Sequence, residues 1–360
     1  MKKQIIPITA LLATSLAYAQ TAFDGSQSAG GDYTLDGTVS LTTLHGGAGH
    51  WVNATDSMSI TGTTSDAIIT GTTTWWLLNE GASGMTTLSL TDVSMKDIVT
   101  NMSSNSATAV TVGVQSMLNI TALNHDVYIT NNTTSSGRYG GAIILETKGG
   151  AEGKPVGILN LTANGHNIFF SGNSGTGPGK AIYVDQHGGI MNFNAKAGSA
   201  ITFEDNVYMR NSSNSQLNIG DSSGDFEGKV SFLATNTVSG SDGSAQNRLQ
   251  NVMLNSGTFE FVLTSTTTSN VTINSLEYAG GDFNFLLLGE GFYNFALAST
   301  VDGFGSDMSI FKAEGYDLTD IVLSGNNLSF TATIAVPEPG TYAMIFGALA
   351  LAFAAYRRRK

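Results

Sequence analysis

The feature that most constrains this chain is a repeat in its middle. The sequence LNITA at residues 118–122 reappears as LNLTA at residues 159–163, 41 residues further on, and a looser third copy begins at Met191. Between the copies, GGAI at 140–143 and GKAI at 179–182 each open a further short apolar run. A unit of this size buries its apolar residues only by stacking on its neighbours. The repeat therefore predicts a solenoid.

Within the repeat, apolar residues occupy alternate positions, as in the pairs Val127/Ile129 and Ile168/Phe170. Alternation places one row of side chains inside and the other row in solvent, which is the pattern of a half-buried β-strand. We predict an all-β fold, a right-handed parallel β-helix over residues 20–334. With roughly 30 to 40 residues per coil, the rod is expected to be about 40 to 50 Å long.

Two further patterns extend this prediction. Asn132, Asn173 and Asn206 close equivalent strands, where Asn tolerates a turn conformation and can stack into a side-chain ladder. Towards the C-terminus, residues 257–261 and 281–285 repeat the alternation with pairs of phenylalanines. The larger rings predict wider coils or a cap at that end.

The composition excludes several classes of protein. Only 12% of the 360 residues are charged and none is cysteine, so disulfides, thiol chemistry and Cys-ligated metals are excluded. The formal charge is −12. Six of the 16 basic residues and one of the 28 acidic residues lie in segments 1–19 and 335–360, which leaves 10 basic and 27 acidic residues in the body, or −17. This charge disfavours nucleic acid and anionic membrane surfaces as partners.

The N-terminus has the three parts of a secretory signal peptide. Two lysines precede an apolar run over residues 5–16, and Ala17 and Ala19 supply the small-x-small pattern that signal peptidase recognises. We predict cleavage after Ala19, which removes residues 1–19. The alternative is an uncleaved anchor, but the apolar run is shorter than the ~20 residues that span a bilayer.

The C-terminus combines three features in a fixed order. A Pro-Glu-Pro motif, which its prolines keep extended, suits an enzyme cleft. An apolar run over 342–356 is predicted to form a transmembrane helix, and four basic residues after it are predicted to stop translocation on the cytoplasmic side. The motif consists of Val336, Pro337, Glu338 and Pro339, and the stop-transfer residues are Arg357, Arg358, Arg359 and Lys360.

In this combination, residues 335–360 resemble the PEP-CTERM domain of exported proteins from Gram-negative bacteria with polysaccharide-rich envelopes. The resemblance implies that an exosortase-type enzyme processes the chain at the motif. It also implies that the helix holds the protein in the inner membrane only until that step. The alternative is a permanent single-span anchor unconnected with an exosortase.

Parts of the repeat resemble the FxxN and GGAI motifs of polymorphic outer-membrane autotransporter passengers, which form β-helices and include adhesins. The FxxN-like segments are 170–173 and 203–206, and GGAI stands at 140–143. The GKAI segment at 179–182 departs from the motif by one residue. Because such motifs are short, this resemblance bears on fold more than on function.

Candidate catalytic residues are few and scattered. Asp185 follows one predicted strand, and Glu204 and Asp205 close another, as the acids of β-helical polysaccharide lyases and hydrolases do. A catalytic pair also needs a cleft and a suitable separation. His125 and His166 recur at one repeat position, which favours a role in filling turns. We therefore assign no catalytic residue, no metal ion and no cofactor.

The three tryptophans, Trp51, Trp75 and Trp76, fit either a platform for sugar rings or a cap over the N-terminal end of the core. Taken together, these patterns predict an exported, non-enzymatic protein of the cell surface or extracellular matrix. We expect it to be structural and adhesin-like, with envelope polysaccharide or host glycan as partners. The alternative is a β-helical polysaccharide lyase or hydrolase at the cell surface.

Overall fold

The chain forms an all-β structure in a computed structural model. The structure describes residues 21–27, 30–41, 50–52, 57–77, 84–100, 108–134, 140–146, 156–175, 177–210, 212–235 and 247–335, without the side chains of residues 50–52 and 76. These residues form strands and turns, and the described part of the chain contains no helix. The predicted all-β class is confirmed for the body.

The strands are short, and most show the alternating burial that the sequence predicts. The first sixteen are β1 (Thr21–Ala22), β2 (Gly31–Leu35), β3 (Thr38–Leu41), β4 (His50–Val52), β5 (Ser57–Gly62), β6 (Ile68–Gly71), β7 (Trp75–Leu77), β8 (Thr86–Thr91), β9 (Ser94–Thr100), β10 (Val110–Val112), β11 (Ser116–Ala122), β12 (Val127–Thr130), β13 (Thr133–Thr134), β14 (Ile143–Leu145), β15 (Ile158–Ala163) and β16 (Ile168–Ser171). The remainder are β17 (Ile182–Val184), β18 (Gly189–Ala195), β19 (Ala200–Phe203), β20 (Val207–Met209), β21 (Ser215–Ile219), β22 (Lys229–Phe232), β23 (Asn247–Leu254), β24 (Thr258–Val262), β25 (Val271–Tyr278), β26 (Asp282–Leu286), β27 (Gly291–Ala296), β28 (Thr300–Asp302), β29 (Phe311–Lys312), β30 (Tyr316–Ser324) and β31 (Asn327–Ile334).

Parallel pairing arranges most of these strands into three ladders, which are the three sides of a solenoid. Side one runs from β1 through β2, β5, β8, β11, β15, β18, β21, β23 and β25 to β28. Side two runs from β3 through β6, β9, β12, β16, β19, β22, β24 and β26 to β29. Side three runs from β4 through β7, β10, β14, β17 and β20 to the first residues of β23 and β25. The ten steps of side one correspond to about 48 Å at ~4.8 Å per step.

The repeat in the sequence is a repeat of coils. Leu118 pairs in register with Leu159, and Leu159 with Met191, as the offset of the copies predicts. Ile143 and Ile182 are likewise in register, so the GGAI and GKAI segments open equivalent strands of side three. Because each pairing joins one coil to the next, the parallel solenoid follows directly from the repeat.

The first glycine of each motif has a conformational role. Gly140 and Gly179 have left-handed φ angles of 67° and 73°, which glycine adopts without strain. At the second position, a Cβ on Gly141 would lie 2.7 Å from the carbonyl oxygen of Lys180 in the next coil. The coils therefore approach too closely there for a side chain, which explains the second glycine of GGAI.

The interior is filled by apolar side chains that stack from coil to coil. On side two the row Phe170, Phe203 and Phe232 is fully buried, with ring centroids 4.7 and 5.1 Å apart. Each buried ring contributes roughly 2 kcal/mol of hydrophobic stabilisation. Trp75 is also fully buried and stacks on Phe23, so its role is in the core rather than in a sugar platform.

Of the two features predicted for the C-terminal end, wider coils are absent from the described residues and a cap is present. The phenylalanines of β24 and β26 continue side two in register, and the coils there are not wider, since Val252 pairs with Leu276 only 24 residues later. The rings fill the interior instead of enlarging it. The cap comes later and is an antiparallel sheet in the order β27, β31, β30. The rings of Phe295 and Phe330 in this sheet pack on the ring of Phe285, with centroids 5.6 and 5.5 Å apart, and close the core.

Candidate functional site

The surface of side one is built from the outward half of each alternating strand. In β11, for example, Met117, Asn119 and Thr121 point outwards while their neighbours are buried. We call the corresponding outward residues of six successive strands the uncharged face. They are Ser57, Ser59, Thr61, Thr87, Ser89, Thr91, Met117, Asn119, Thr121, Ile158, Asn160, Thr162, Ile190, Asn192, Asn194, Gln216 and Asn218.

An amide ladder runs along the middle of the uncharged face. The Nδ2 atom of Asn160 donates a hydrogen bond to Oδ1 of Asn119, Asn192 donates to Asn160, and Asn218 donates to Asn192, each at 2.7 Å. At the end of the ladder nearest the N-terminus, Asn119 donates to Oγ of Ser89 at 2.9 Å. Asn119, Asn160 and Asn192 each use one N–H and one lone pair in this way, and Oδ1 of Asn218 accepts a bond from Gln216 at 2.9 Å. A second N–H and a second lone pair of each amide therefore remain for a ligand.

Rows of different chemistry flank the ladder. On one side, Thr91, Thr121 and Thr162 are in register and form a hydroxyl row. On the other side, Met117, Ile158 and Ile190 form an apolar row. No ionisable residue stands at any position of the uncharged face, although the body carries a strong negative charge.

A polar groove of about 400 Å³ lies beside the C-terminal part of the ladder. Asn160, Asn192, Asn218 and Asp221 line it, and the carboxylate of Asp221 accepts hydrogen bonds from Ser223. The Oδ1 atom of Asn194, which also lines the groove, is buried without a hydrogen-bond partner among the described residues. A buried acceptor without a donor is unfavourable for the folded state.

At the corner between sides one and two, Asp92 fixes the next coil. Its φ of 56° lies in the left-handed region, and its carboxylate accepts hydrogen bonds from the backbone N–H groups of Leu123, Asn124 and His125 at 2.7 to 3.2 Å. The side chain of Asn124 donates a fourth bond. Burial alone would raise the pKa of Asp92, but these hydrogen bonds outweigh burial and hold the pKa below its usual value.

His125 and His166 occupy the same corner in adjacent coils, with ring centroids 6.4 Å apart. Nδ1 of His166 lies 3.6 Å from a carboxylate oxygen of Asp126, and both side chains are partly exposed. The same carboxylate accepts a hydrogen bond from the backbone of Asn167 at 2.8 Å. The equivalent placement of the two histidines agrees with a role in the turns.

Inside the corner between sides two and three, the predicted asparagine ladder is present in part. Nδ2 of Asn132 donates to Oδ1 of Asn173 at 2.9 Å. In the next coil, the backbone N–H and Nδ2 of Asn173 both donate to the carboxylate of Asp205, each at 2.8 Å. The expected partner was Asn206. Burial raises the pKa of Asp205, while the bonds from Asn173 and the charge of Lys180 oppose the rise.

The acids named as catalytic candidates do not meet. Asp185 directly follows β17, whereas Asp205 precedes β20, and these strands pair in register on side three. The two residues therefore lie at opposite ends of that side, about 16 Å apart at ~3.3 Å per residue. Glu204 is exposed beside Asp205. Paired carboxylates in glycoside hydrolysis lie roughly 5 to 10 Å apart, so Asp185 and Asp205 form no such pair.

Sequence reasoning missed a charged groove of about 520 Å³ on side two, near the C-terminal cap. Lys229 and Asn284 line it. Both donate hydrogen bonds to the buried carboxylate of Glu260, Lys229 at 2.9 Å, and this carboxylate also accepts a bond from Ser231 at 2.7 Å. Lys312 pairs with an acidic residue of β26 at the rim. Residues 260 and 284 stand between paired phenylalanines, so the same alternation that located the rings also marks these outward positions.

Metal binding and membrane crossing were assessed for the described residues. They contain no group of three or more His, Asp or Glu side chains that could hold a metal ion. Among the same residues, no helix is long and apolar enough to cross a membrane.

Comparison with known families decides the nature of the C-terminal segment. A family model described as the PEP-CTERM protein-sorting motif matches residues 335–360. This segment is a PEP-CTERM sorting motif. The sorting motif indicates an exported, envelope-associated protein that an exosortase processes. No curated protein and no solved structure matches the chain.

Several residues assigned from the sequence lie outside the described residues, so the structure does not test their roles. The side chains of Trp51 and Trp76 belong to this group. The others are the cleavage residues Ala17 and Ala19, the sorting residues Val336, Pro337, Glu338 and Pro339, and the stop-transfer residues Arg357, Arg358, Arg359 and Lys360.

Proposed function

We propose that the protein is a structural, adhesin-like component of the cell surface or extracellular matrix, and that it binds envelope polysaccharide or host glycan without cleaving it. The observation that carries the proposal is the repetition of one polar side chain in successive coils, as in the ladder of Asn119, Asn160, Asn192 and Asn218. Repeated equivalent groups suit binding that is spread along a rod, whereas an enzyme concentrates unusual residues at one place.

The proposal includes the route by which the protein reaches the cell surface. Signal peptidase removes residues 1–19, and the helix over 342–356 then anchors the chain transiently in the inner membrane. An exosortase cuts at the motif that begins with Val336, which releases the body to the surface. The solenoid winds in the right-handed sense that parallel crossover connections prefer.

The second candidate is a β-helical polysaccharide lyase or hydrolase. The groove on side two favours it, because Lys229 lines this groove and its Nζ atom lies 2.9 Å from the carboxylate of Glu260. However, the carboxylate of Glu260 already accepts bonds from Lys229, Ser231 and Asn284, so it is engaged within the protein. These bonds come from residues of neighbouring coils, so the carboxylate has a structural role in joining the coils on the outer surface of side two.

Incubation of the full-length protein with a panel of neutral and acidic glycans separates the two candidates. We expect retention of the protein on at least one insoluble or immobilised glycan, with no increase in reducing ends or unsaturated products. Turnover that is lost in Glu260→Gln, or in Asp185→Asn or Asp205→Asn, would establish the enzyme instead. Absence of binding to every glycan in the panel would overturn the adhesin-like function.

A further inference from the structure

We propose that the uncharged face binds a neutral, extended polysaccharide that lies parallel to the axis of the solenoid. This inference rests on the proposed function and adds to it the surface that binds and the chemical class of the glycan. Three properties of the face carry it: its lack of charge, its combination of polar and apolar rows, and its regular spacing.

Charge selects against an acidic glycan. The body carries −17, yet the 17 positions of the uncharged face include no ionisable residue. A polyanion would find no cation on this surface and would be repelled by the acids of the neighbouring corners, such as Asp92 and Asp126. A neutral glycan meets neither penalty, so the face is complementary to an uncharged chain.

The rows match the two kinds of surface on a sugar ring. A pyranose carries hydroxyl groups around its edge and C–H groups on its faces. Amides such as Asn160 retain a donor and an acceptor for hydroxyls, and Ile158 and Ile190 offer an apolar row about 7 Å away on the same strands. A ring that lies across both rows therefore satisfies its hydroxyls and buries its C–H face.

Spacing lets successive sugars make equivalent contacts. The coils advance by ~4.8 Å, which is comparable with the advance of one residue in an extended β-linked glycan. From Ser89 to Asn218 the ladder has four steps and spans about 19 Å. Three of the ladder amides, Asn160, Asn192 and Asn218, also line the polar groove. Several weak equivalent contacts add up to useful affinity.

Matched charge insertions test this inference on the full-length protein. Thr162→Glu places a carboxylate on the uncharged face, and Thr202→Glu places the same charge on an outward position of side two. The probes are cello- and manno-oligosaccharides as neutral glycans and oligogalacturonate as the acidic one. We expect wild type to bind a neutral probe, Thr162→Glu to bind it about tenfold more weakly, and Thr202→Glu to bind it as wild type does. Because no ion pair is involved, added salt should leave the affinity unchanged.

The outcomes separate this inference from the function on which it rests. Preference of wild type for oligogalacturonate, equal affinity of Thr162→Glu and wild type, or equal losses in both variants would overturn the uncharged face as the binding surface while glycan binding itself stands. Failure of wild type to bind any probe or any larger glycan would overturn the function as well. Thr121→Glu, one coil earlier in the same row, replaces Thr162→Glu if that variant does not fold.

Discussion

Single polar side chains join neighbouring coils at the corners, and Asp92 does so with four hydrogen bonds. It is buried, and three of its donors are consecutive backbone N–H groups at residues 123–125 of the next coil. Removing it leaves these donors unsatisfied in a buried corner. Its left-handed φ also restricts replacements, because most residues avoid that region while Asn tolerates it.

Asp92→Ala should therefore lower the free energy of unfolding by about 3 kcal/mol, since hydrogen bonds to charged groups contribute most among polar contacts. Asp92→Asn is the matched control. It keeps one acceptor oxygen and the tolerated conformation, so we expect a smaller loss. Urea denaturation of the three proteins measures both. An Ala variant as stable as wild type would show that the corner does not depend on this carboxylate.

The two perturbed aspartates predict opposite dependences on pH. The lowered pKa of Asp92 means that its contribution to stability is present above about pH 4 and is lost as the pH falls through the folded-state pKa. The raised pKa of Asp205 means the reverse: its contribution is present below about pH 4 and is lost as the pH rises through the folded-state pKa. Unfolding free energies of Asp92→Asn and Asp205→Asn, each relative to wild type between pH 3 and 7, should change in opposite directions. Parallel changes would contradict this assignment.

At the scale of the strand, alternation decides which substitutions the solenoid tolerates. Phe169 and Phe170 are neighbours in β16, but Phe170 is fully buried while Phe169 faces outwards and stacks on Tyr128. A carboxylate at position 170 would be buried without a partner, whereas one at position 169 reaches solvent.

Phe170→Asp should therefore unfold or misassemble the stack, at a cost of several kcal/mol. The control, Phe169→Asp, should lose about 1 kcal/mol and keep a cooperative transition. Thermal melts followed by circular dichroism compare the two variants. If Phe170→Asp melts at the temperature of wild type, the assigned inward row is wrong.

Much of the fold could be predicted because alternation and repetition act on every coil in the same way. The register of Leu118 with Leu159 follows from the repeat itself. The length of each individual coil was harder to predict than the expected average, because stacking does not constrain the turns, and successive amides of the ladder are 41, 32 and 26 residues apart. A cap was one of the two expectations for the C-terminal end, but its antiparallel pairing was not predicted because β30 and β31 alternate as parallel strands do. The signal was the two-residue Gly-Asn connection at 325–326, which is typical of a hairpin.

The binding surface was harder to predict than the strands. Asn119 and Asn160 lie inside the repeated LNITA and LNLTA segments, but the repeat alone does not say which polar residues stack along an outer face. That information comes from the register, which places these amides 2.7 Å apart. The contacts that enclose Glu260 come from residues 24 to 31 positions away in neighbouring coils, so its burial cannot be predicted from a single strand.

At the scale of the whole molecule, processing at both ends is directly measurable. The mature protein should lack residues 1–19 and, in cells with an active exosortase, the basic residues 357–360. Intact mass of protein from envelope fractions decides this, and cells without the exosortase are the control. Retention of Arg357 to Lys360 in cells with the active enzyme would contradict processing and leave a permanent anchor.

The central claim is that function is spread along stacked coils, and removal of one coil tests it most directly. Met117 and Ile158 are in register, so deletion of residues 117–157 removes one complete coil and joins equivalent points of side one. The ladder then loses one of its rungs. We predict that the shortened full-length protein remains a β-rich fold and binds a long polysaccharide about three- to tenfold more weakly, because affinity depends on the number of contacts. Unchanged or abolished binding by the folded variant would contradict a function spread over the coils.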